Sequence, residues 1–212
     1  MLIEVPVSEN TEAFWEQTYA SKSDHLLSWT QSKPELSLEL IHTFGRRPGS
    51  VIDVGGGSSA LAAWLIDSGT PSCIVLDISP TALERARSQV DPDVRNRIEW
   101  RVADILTGED LPEVDVWHDR AVFHFLVNPG ERAAYVAQAK RTVAPGGILI
   151  VGTLALNGPA LCSGLPVQRY DAEPLAAEFA PSFDVRDVRY ELHRTPWGAT
   201  QRFIYLVMEC RR

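Results

Sequence analysis

Two hydrophobic rhythms alternate along this chain. Short apolar runs at Ser50–Val54, Cys73–Asp77, Ile98–Asp104, Val114–His118 and Ile148–Thr153 read as strands. Between them, Ala60–Ser68, Pro80–Val90 and Gly130–Val143 carry apolar residues at helical spacing, one buried stripe each. Thr11–Ser21 and Ser37–Phe44 read as two further helices ahead of the first strand, the former with Thr11 as its cap and a Phe14/Trp15/Tyr19 stripe. Strands and helices in alternation predict a parallel sheet covered on both faces.

The rhythm changes after the fifth strand. Residues 154–172 are rich in Gly and Pro, and a short helix is predicted at Glu173–Phe179. Phe183–Glu191 and Gln201–Glu209 then alternate like the arms of an antiparallel hairpin, which leaves Ile204–Met208 as an apolar edge strand. No repeat, low-complexity tract or linker interrupts the chain, so its 212 residues are expected to form one domain.

Composition narrows the class. Hydrophobic residues make up 45% and charged residues 23%, as in ordinary globular proteins. No apolar run has the length of a membrane span, and the first residues lack the basic and apolar regions of a secretory signal, so a cytoplasmic location is expected. A net charge of −8 argues against nucleic acid as a partner, since phosphate backbones are bound by clustered Lys and Arg. The pairs Arg46-Arg47 and Arg211-Arg212 are too short for such a face. Cys73, Cys162 and Cys210 are widely separated, which predicts neither disulfides nor a cysteine metal site.

The most informative stretch is Val51-Ile52-Asp53-Val54-Gly55-Gly56-Gly57-Ser58-Ser59-Ala60. A strand that runs into glycines and then into a helix brings backbone close to a ligand, as in nucleotide-binding corners. Gly55-x-Gly57-x-x-Ala60 fits the dinucleotide fingerprint, with Asp77 at about the spacing of an acidic ribose ligand. An NAD-dependent enzyme is one reading. Asp53 inside the strand end, a second acidic strand end at Asp104, and the turn Val143-Ala144-Pro145-Gly146-Gly147 entering the next strand move the reading elsewhere.

Together these features resemble the class I S-adenosylmethionine-dependent methyltransferases, from about Phe14 to the C-terminus. The aromatic N-terminal region is similar to that of small-molecule methyltransferases of the thiopurine and tellurite type. The resemblance implies an α/β fold, a Rossmann-like doubly wound seven-stranded sheet, mostly parallel with an antiparallel C-terminal hairpin strand. It implies one methyltransferase domain over 1–212, with a helical cap at about 11–45 and a core at 50–212. It further implies that Asp53, Gly55, Gly56 and Gly57 hold the methionine part of S-adenosyl-L-methionine. Asp77 then takes the ribose hydroxyls, Ile78 and Ile105 flank the adenine, and Asp104 faces the adenine amino group. S-adenosyl-L-homocysteine is the implied product.

Less is legible about the acceptor. The segment His118 to Leu126 follows the fourth strand and lacks the Asn-Pro-Pro-Tyr type sequence of enzymes that methylate base or amide nitrogens. His124 is the candidate general base, because histidine titrates near neutrality. The competing reading is an aromatic wall with one hydrogen bond. Asp119 is a candidate for fixing a cofactor or substrate amine or for holding the loop. His118, Asp119 and His124 offer too little to build a metal site. Trp29 is a candidate cofactor contact, and Cys162, Arg169, Tyr170 and His193 are candidate acceptor contacts. The expected reaction is methyl transfer to a small-molecule nucleophile whose attacking atom, S, O, N or metalloid, stays open, as does the oligomeric state. The alternatives are a protein lysine methyltransferase and a non-catalytic cofactor-binding module.

Overall fold

A computed structural model describes residues 11–45 and 49–212. Residues 1–10, whose sequence reads as a frayed end, and the pair Arg46-Arg47 lie outside them. Seven strands form the main sheet: β1 Ser50–Val54, β2 Ser72–Asp77, β3 Ile98–Val102, β4 Val114–Arg120, β5 Val143–Leu154, β6 Phe183–Arg194 and β7 Thr200–Cys210. Their order is β3-β2-β1-β4-β5-β7-β6, parallel from β3 to β5, with β7 antiparallel to both β5 and β6. The architecture is the Rossmann-like methyltransferase sheet.

The helices are α1 Glu12–Ser21, α2 Glu35–Phe44, α3 Leu61–Asp67, α4 Pro80–Ser88, α5 Pro129–Thr142 and α6 Ala172–Phe179. Single turns at Asp24–Leu26, Pro92–Arg95, Ile105–Thr107 and Phe123–Phe125, too short for a periodic signal, add to the predicted set. Strand alternation divides the core. Val51, Val75, Val116 and Ile150 pack with α2 and α3 on one face. Ile52, Leu76, Trp117 and Leu149 pack with α5 and α6 on the other. Side chains pointing to opposite faces of a strand thus bury both sides of the sheet.

Two expectations need correction. Ile204–Met208 is not an edge strand, because β7 lies between β5 and β6 and the edge is β6. The periodicity of two hairpin arms does not say which arm joins the sheet first. The turn at Pro145-Gly146-Gly147 does not precede β5 but lies within it: Val143 pairs with Val114 and Ile148 with Val116, with an irregular register between. Gly146 has a φ of 68°, a conformation that glycine adopts without strain.

Segment 154–172 contains a two-residue hairpin, Leu161–Cys162 against Leu165–Pro166. Among the described residues no helix is long and apolar enough to cross a membrane.

Candidate active site

The glycine corner is built around its own neighbours. Gly55 and Gly56 donate their N–H groups to the Leu76 carbonyl at 2.7 and 3.2 Å. Gly57 N–H donates to Asp77 Oδ2 at 2.8 Å, and Ser79 N–H donates to Asp77 Oδ1 at 2.9 Å. Gly55 and Gly57 have φ values of 63° and 55°. A Cβ on Gly55 would stand 1.9 Å from Val122 Cγ2, and one on Gly57 would stand 2.3 Å from Tyr19 Oη. Burial raises the Asp77 carboxyl to about 6 against the lowering effect of its backbone donors.

A cavity of about 790 Å³, solvent at its mouth included, opens at the carboxyl ends of β1, β2 and β4. This is the switch point of the sheet, where ligands of open α/β folds bind. Asp77, Ile78, Asp104 and Ile105 line one side; Trp15, Tyr19, Trp29 and Phe125 line the other. Asp104 also caps the turn that follows it, Oδ1 accepting from Leu106 N–H at 2.9 Å. Asp53, Gly55, Gly56 and His118 line an adjoining bay. Gly55, Trp29 and Arg120 belong to both spaces.

Asp53 is held from the far side. His118 Nδ1–H donates to Asp53 Oδ1 at 2.7 Å, and Ser37 Oγ lies 2.9 Å from His118 Nε2. All three side chains are buried, although a carboxylate, an imidazole and a hydroxyl are costly to remove from water unless they satisfy one another.

Other candidates are placed away from the cavity. Asp119 is fully buried and accepts from Val122 N–H, Phe123 N–H and Tyr135 Oη–H at 2.9, 3.0 and 2.5 Å. Its carboxylate holds the turn after β4, the loop-holding alternative of the sequence reading. His124 is buried too: Leu154 N–H donates to Nδ1 at 3.2 Å, so the ring hydrogen sits on Nε2. Burial, aided by the Arg120 charge, lowers its pKa to about 3. A histidine with that affinity for protons and a blocked Nδ1 does not have the chemistry of a general base.

Arg169 donates from Nη1 to the Leu156 and Gly158 carbonyls, both at 3.0 Å, and so braces its own loop. Tyr170 Oη–H donates to Glu178 at 3.2 Å, and burial raises its pKa. His193 Nε2–H donates to the Ser28 carbonyl at 2.6 Å. Cys162 Sγ lies 4.0 Å from Ser28 Oγ, and burial raises its thiol to about 11. Cys162 and His193 thus meet the segment that carries Trp29.

From sequence, Arg120 and Phe125 belong only to a stretch expected near the sulfonium, without roles of their own, and Tyr19 was passed over as a site residue. Arg120 stands immediately after Asp119 at the end of β4, and a lone cation at a strand's carboxyl end was the available signal. Tyr19 and Phe125 carried only the signature of core aromatics.

Residues 51–147 match the family model described as a methyltransferase domain. The chain thus carries an S-adenosylmethionine-dependent methyltransferase domain. It is 26% identical to the 2-heptyl-1-hydroxyquinolin-4(1H)-one methyltransferase of Mycobacteroides abscessus, over 93% of this chain and 90% of that one. It is 29% identical to the ribosomal protein L11 methyltransferase of Pelotomaculum thermopropionicum, over 75% of this chain and 54% of that one. In fold it is similar to the 1,6-didemethyltoxoflavin-N1-methyltransferase of Burkholderia thailandensis, solved with S-adenosylhomocysteine and 1,6-didemethyltoxoflavin. That match has a TM-score of 0.66 and 16% identity, covering 95% of this chain and 84% of that one.

The methyltransferase's cavity fits the cofactor in kind. Gly55 and Gly56 line it, Asp53 lies next to the last residue of β1, Asp77 ends β2, and Asp104 and Ile105 follow β3.

Proposed function

We propose that this methyltransferase acts on a small-molecule nucleophile. The observation that carries this reading is the enclosure of the cavity. Trp15 packs edge-on against Trp29 at 5.8 Å and against Phe125 at 4.9 Å, which closes the acceptor side with aromatic rings. The segment around Trp29 is tied to the C-terminal hairpin by His193 and by Gln31, whose Nε2–H donates to Glu191 Oε1 at 2.8 Å. A compact ring passes such a frame more readily than a folded protein or an RNA does. Two of the similar proteins are named for heteroaromatic small molecules, which supports the same reading.

In this reading Asp77 takes the ribose hydroxyls, and Ile78, Asp104 and Ile105 surround the adenine. Asp53, Gly55, Gly56 and Gly57 hold the methionine part, and Trp29 covers it. Bound there, S-adenosylmethionine supplies a methyl group on a sulfonium, a good leaving group. The chain's own task is to align the acceptor and exclude water. Incubating the protein and a cell extract with radiolabelled S-adenosylmethionine tests the reading. Label in solvent-extractable small molecules is expected. Label confined to a protein band or to RNA would favour the macromolecular reading, which the ribosomal protein L11 relative represents.

A further inference from the structure

The segment Ser28 to Gln31 has neither helix nor strand of its own and is tied down by side chains from distant parts of the chain. His193 Nε2–H donates to the Ser28 carbonyl at 2.6 Å, and Arg120 Nη1–H donates to the Trp29 carbonyl at 2.9 Å. Gln31 Nε2–H donates to Glu191 Oε1 at 2.8 Å.

Two of these ties meet at Glu191. Its Oε2 accepts from Tyr205 Oη–H at 3.0 Å and stands 3.5 Å from Arg120 Nη2, an ion pair. Arg120 Nε–H donates to Tyr205 Oη at 2.8 Å, and burial raises the phenol's pKa, so that it stays a hydroxyl able to pass the bond on. One carboxylate oxygen thus holds Gln31, and the other holds the guanidinium that holds Trp29. The Arg120 and Glu191 side chains are only 9% and 17% exposed. A buried cation is oriented by its counter-charge, and removal of that charge leaves it uncompensated. Glu191 itself lines neither space of the site, whereas Arg120 and Trp29 border the junction of the two, and Gln31 lines the bay with Asp53 and Gly56.

We propose that Glu191 is a positioning residue for the methyl donor: through Arg120 and Gln31 it fixes Trp29 and the wall of the bay that receives the amino acid end of the cofactor. This rests on the cofactor binding mode proposed above. The adenosine end lies outside its reach, because Asp77 closes β2 and Asp104 is held by the turn that it caps. Loss of Glu191 is therefore felt at one end of the cofactor and not at the other.

The test compares two ligands by calorimetry. One is S-adenosylhomocysteine; the other is 5′-methylthioadenosine, which keeps the adenosine and the sulfur but lacks the amino acid. Glu191→Gln preserves the shape of the side chain and leaves the Arg120 charge unbalanced. It is expected to weaken S-adenosylhomocysteine at least about tenfold, the scale of one hydrogen bond to a charged group, with methylthioadenosine affinity within about twofold of wild type. Tyr205→Phe keeps both charges and removes only the hydroxyl between them. It should give a smaller loss of the same selective kind, and it carries the test if Glu191→Gln does not fold. Gln31→Met cuts one tie from the other side, so its loss should overlap that of Glu191→Gln, and the double variant should lose less than the product of the two. Equal weakening of both ligands in Glu191→Gln would overturn the proposal, because general loosening of the fold accounts for it. Unchanged S-adenosylhomocysteine binding would overturn it too, as would strictly multiplicative losses in the double variant. A wild type that binds the two ligands equally would instead overturn the binding mode, and the proposal with it.

Discussion

Asp53 and His118 occupy the same register on β1 and β4, and their side chains meet at 2.7 Å beneath the glycine corner. Ser37 of α2 reaches the other imidazole nitrogen, so three elements converge on one carboxylate. His118→Phe would leave Asp53 Oδ1 and the Ser37 hydroxyl without their partner. The expected loss of stability is about 1–3 kcal/mol by denaturant titration. Cofactor KM should rise more than kcat falls, because the residue acts by orienting Asp53. A fall in kcat at unchanged KM would contradict that role.

Asp77 gives a pH dependence. Its carboxyl sits at about 6 in the folded protein against an ordinary 3.8. As pH rises the unfolded chain releases this proton first, so the stabilisation is complete below about 4 and is lost through about 6. Asp119, also raised to about 6, adds to the same trend. The ligand-free protein should therefore lose stability over this window. In the proposed binding mode cofactor affinity runs the other way, because ribose hydroxyls would donate to the ionised form of Asp77. S-adenosylhomocysteine should bind more weakly as pH falls below about 6, and Asp77→Asn should flatten that profile while weakening binding on the order of 100-fold. Calorimetry across the range checks both signs.

Much of this site was visible in the sequence, and the reason is topological. Open α/β sheets collect ligands at the carboxyl ends of their strands, so Asp53, Asp77 and Asp104 could be placed once the strands were recognised. The boundary Ser50–Val54 was equally legible, since glycines bound the run, whereas the third strand ends at Val102 and not at Asp104, which caps the next turn. Partnerships across long sequence separations were not. Arg120 binds Tyr205 and stands against Glu191, both in the C-terminal hairpin, and no local pattern announces that. For the same reason His124 looked like a base: the chain shows a titratable ring but not the Leu154 N–H that occupies it.

Gly57 and Tyr19 give a coupled prediction. Gly57→Ala places a methyl group 2.3 Å from Tyr19 Oη on a backbone with φ 55°. The strain of that conformation alone costs about 1–3 kcal/mol, and displacement of Tyr19 disturbs the cavity wall. Tyr19→Phe removes the clashing oxygen but leaves the backbone strain. The double variant should therefore recover part of the stability and cofactor affinity lost by Gly57→Ala. Purely additive losses in a double-mutant cycle would show that the hydroxyl is not the obstacle.

Tyr135 separates support from chemistry at the end of β4. Its hydroxyl donates to Asp119 and accepts from Trp117 Nε1–H at 2.9 Å, both within the core. Asp119 in turn holds Val122 and Phe123, and Ala121 between them and β4 has a φ of 75°. A non-glycine residue in that region persists only where its surroundings impose it. Tyr135→Phe removes one of three donors to Asp119 and should cost about 1–3 kcal/mol of stability. Asp119 would keep its two backbone donors, so the turn and Arg120 should stay in place and kcat should change by less than about threefold. Asp119→Ala releases all three donors, and cofactor binding should fail with the turn. If Tyr135→Phe instead lowered kcat sharply at unchanged stability, the Asp119 carboxylate would belong to the reaction rather than to the scaffold.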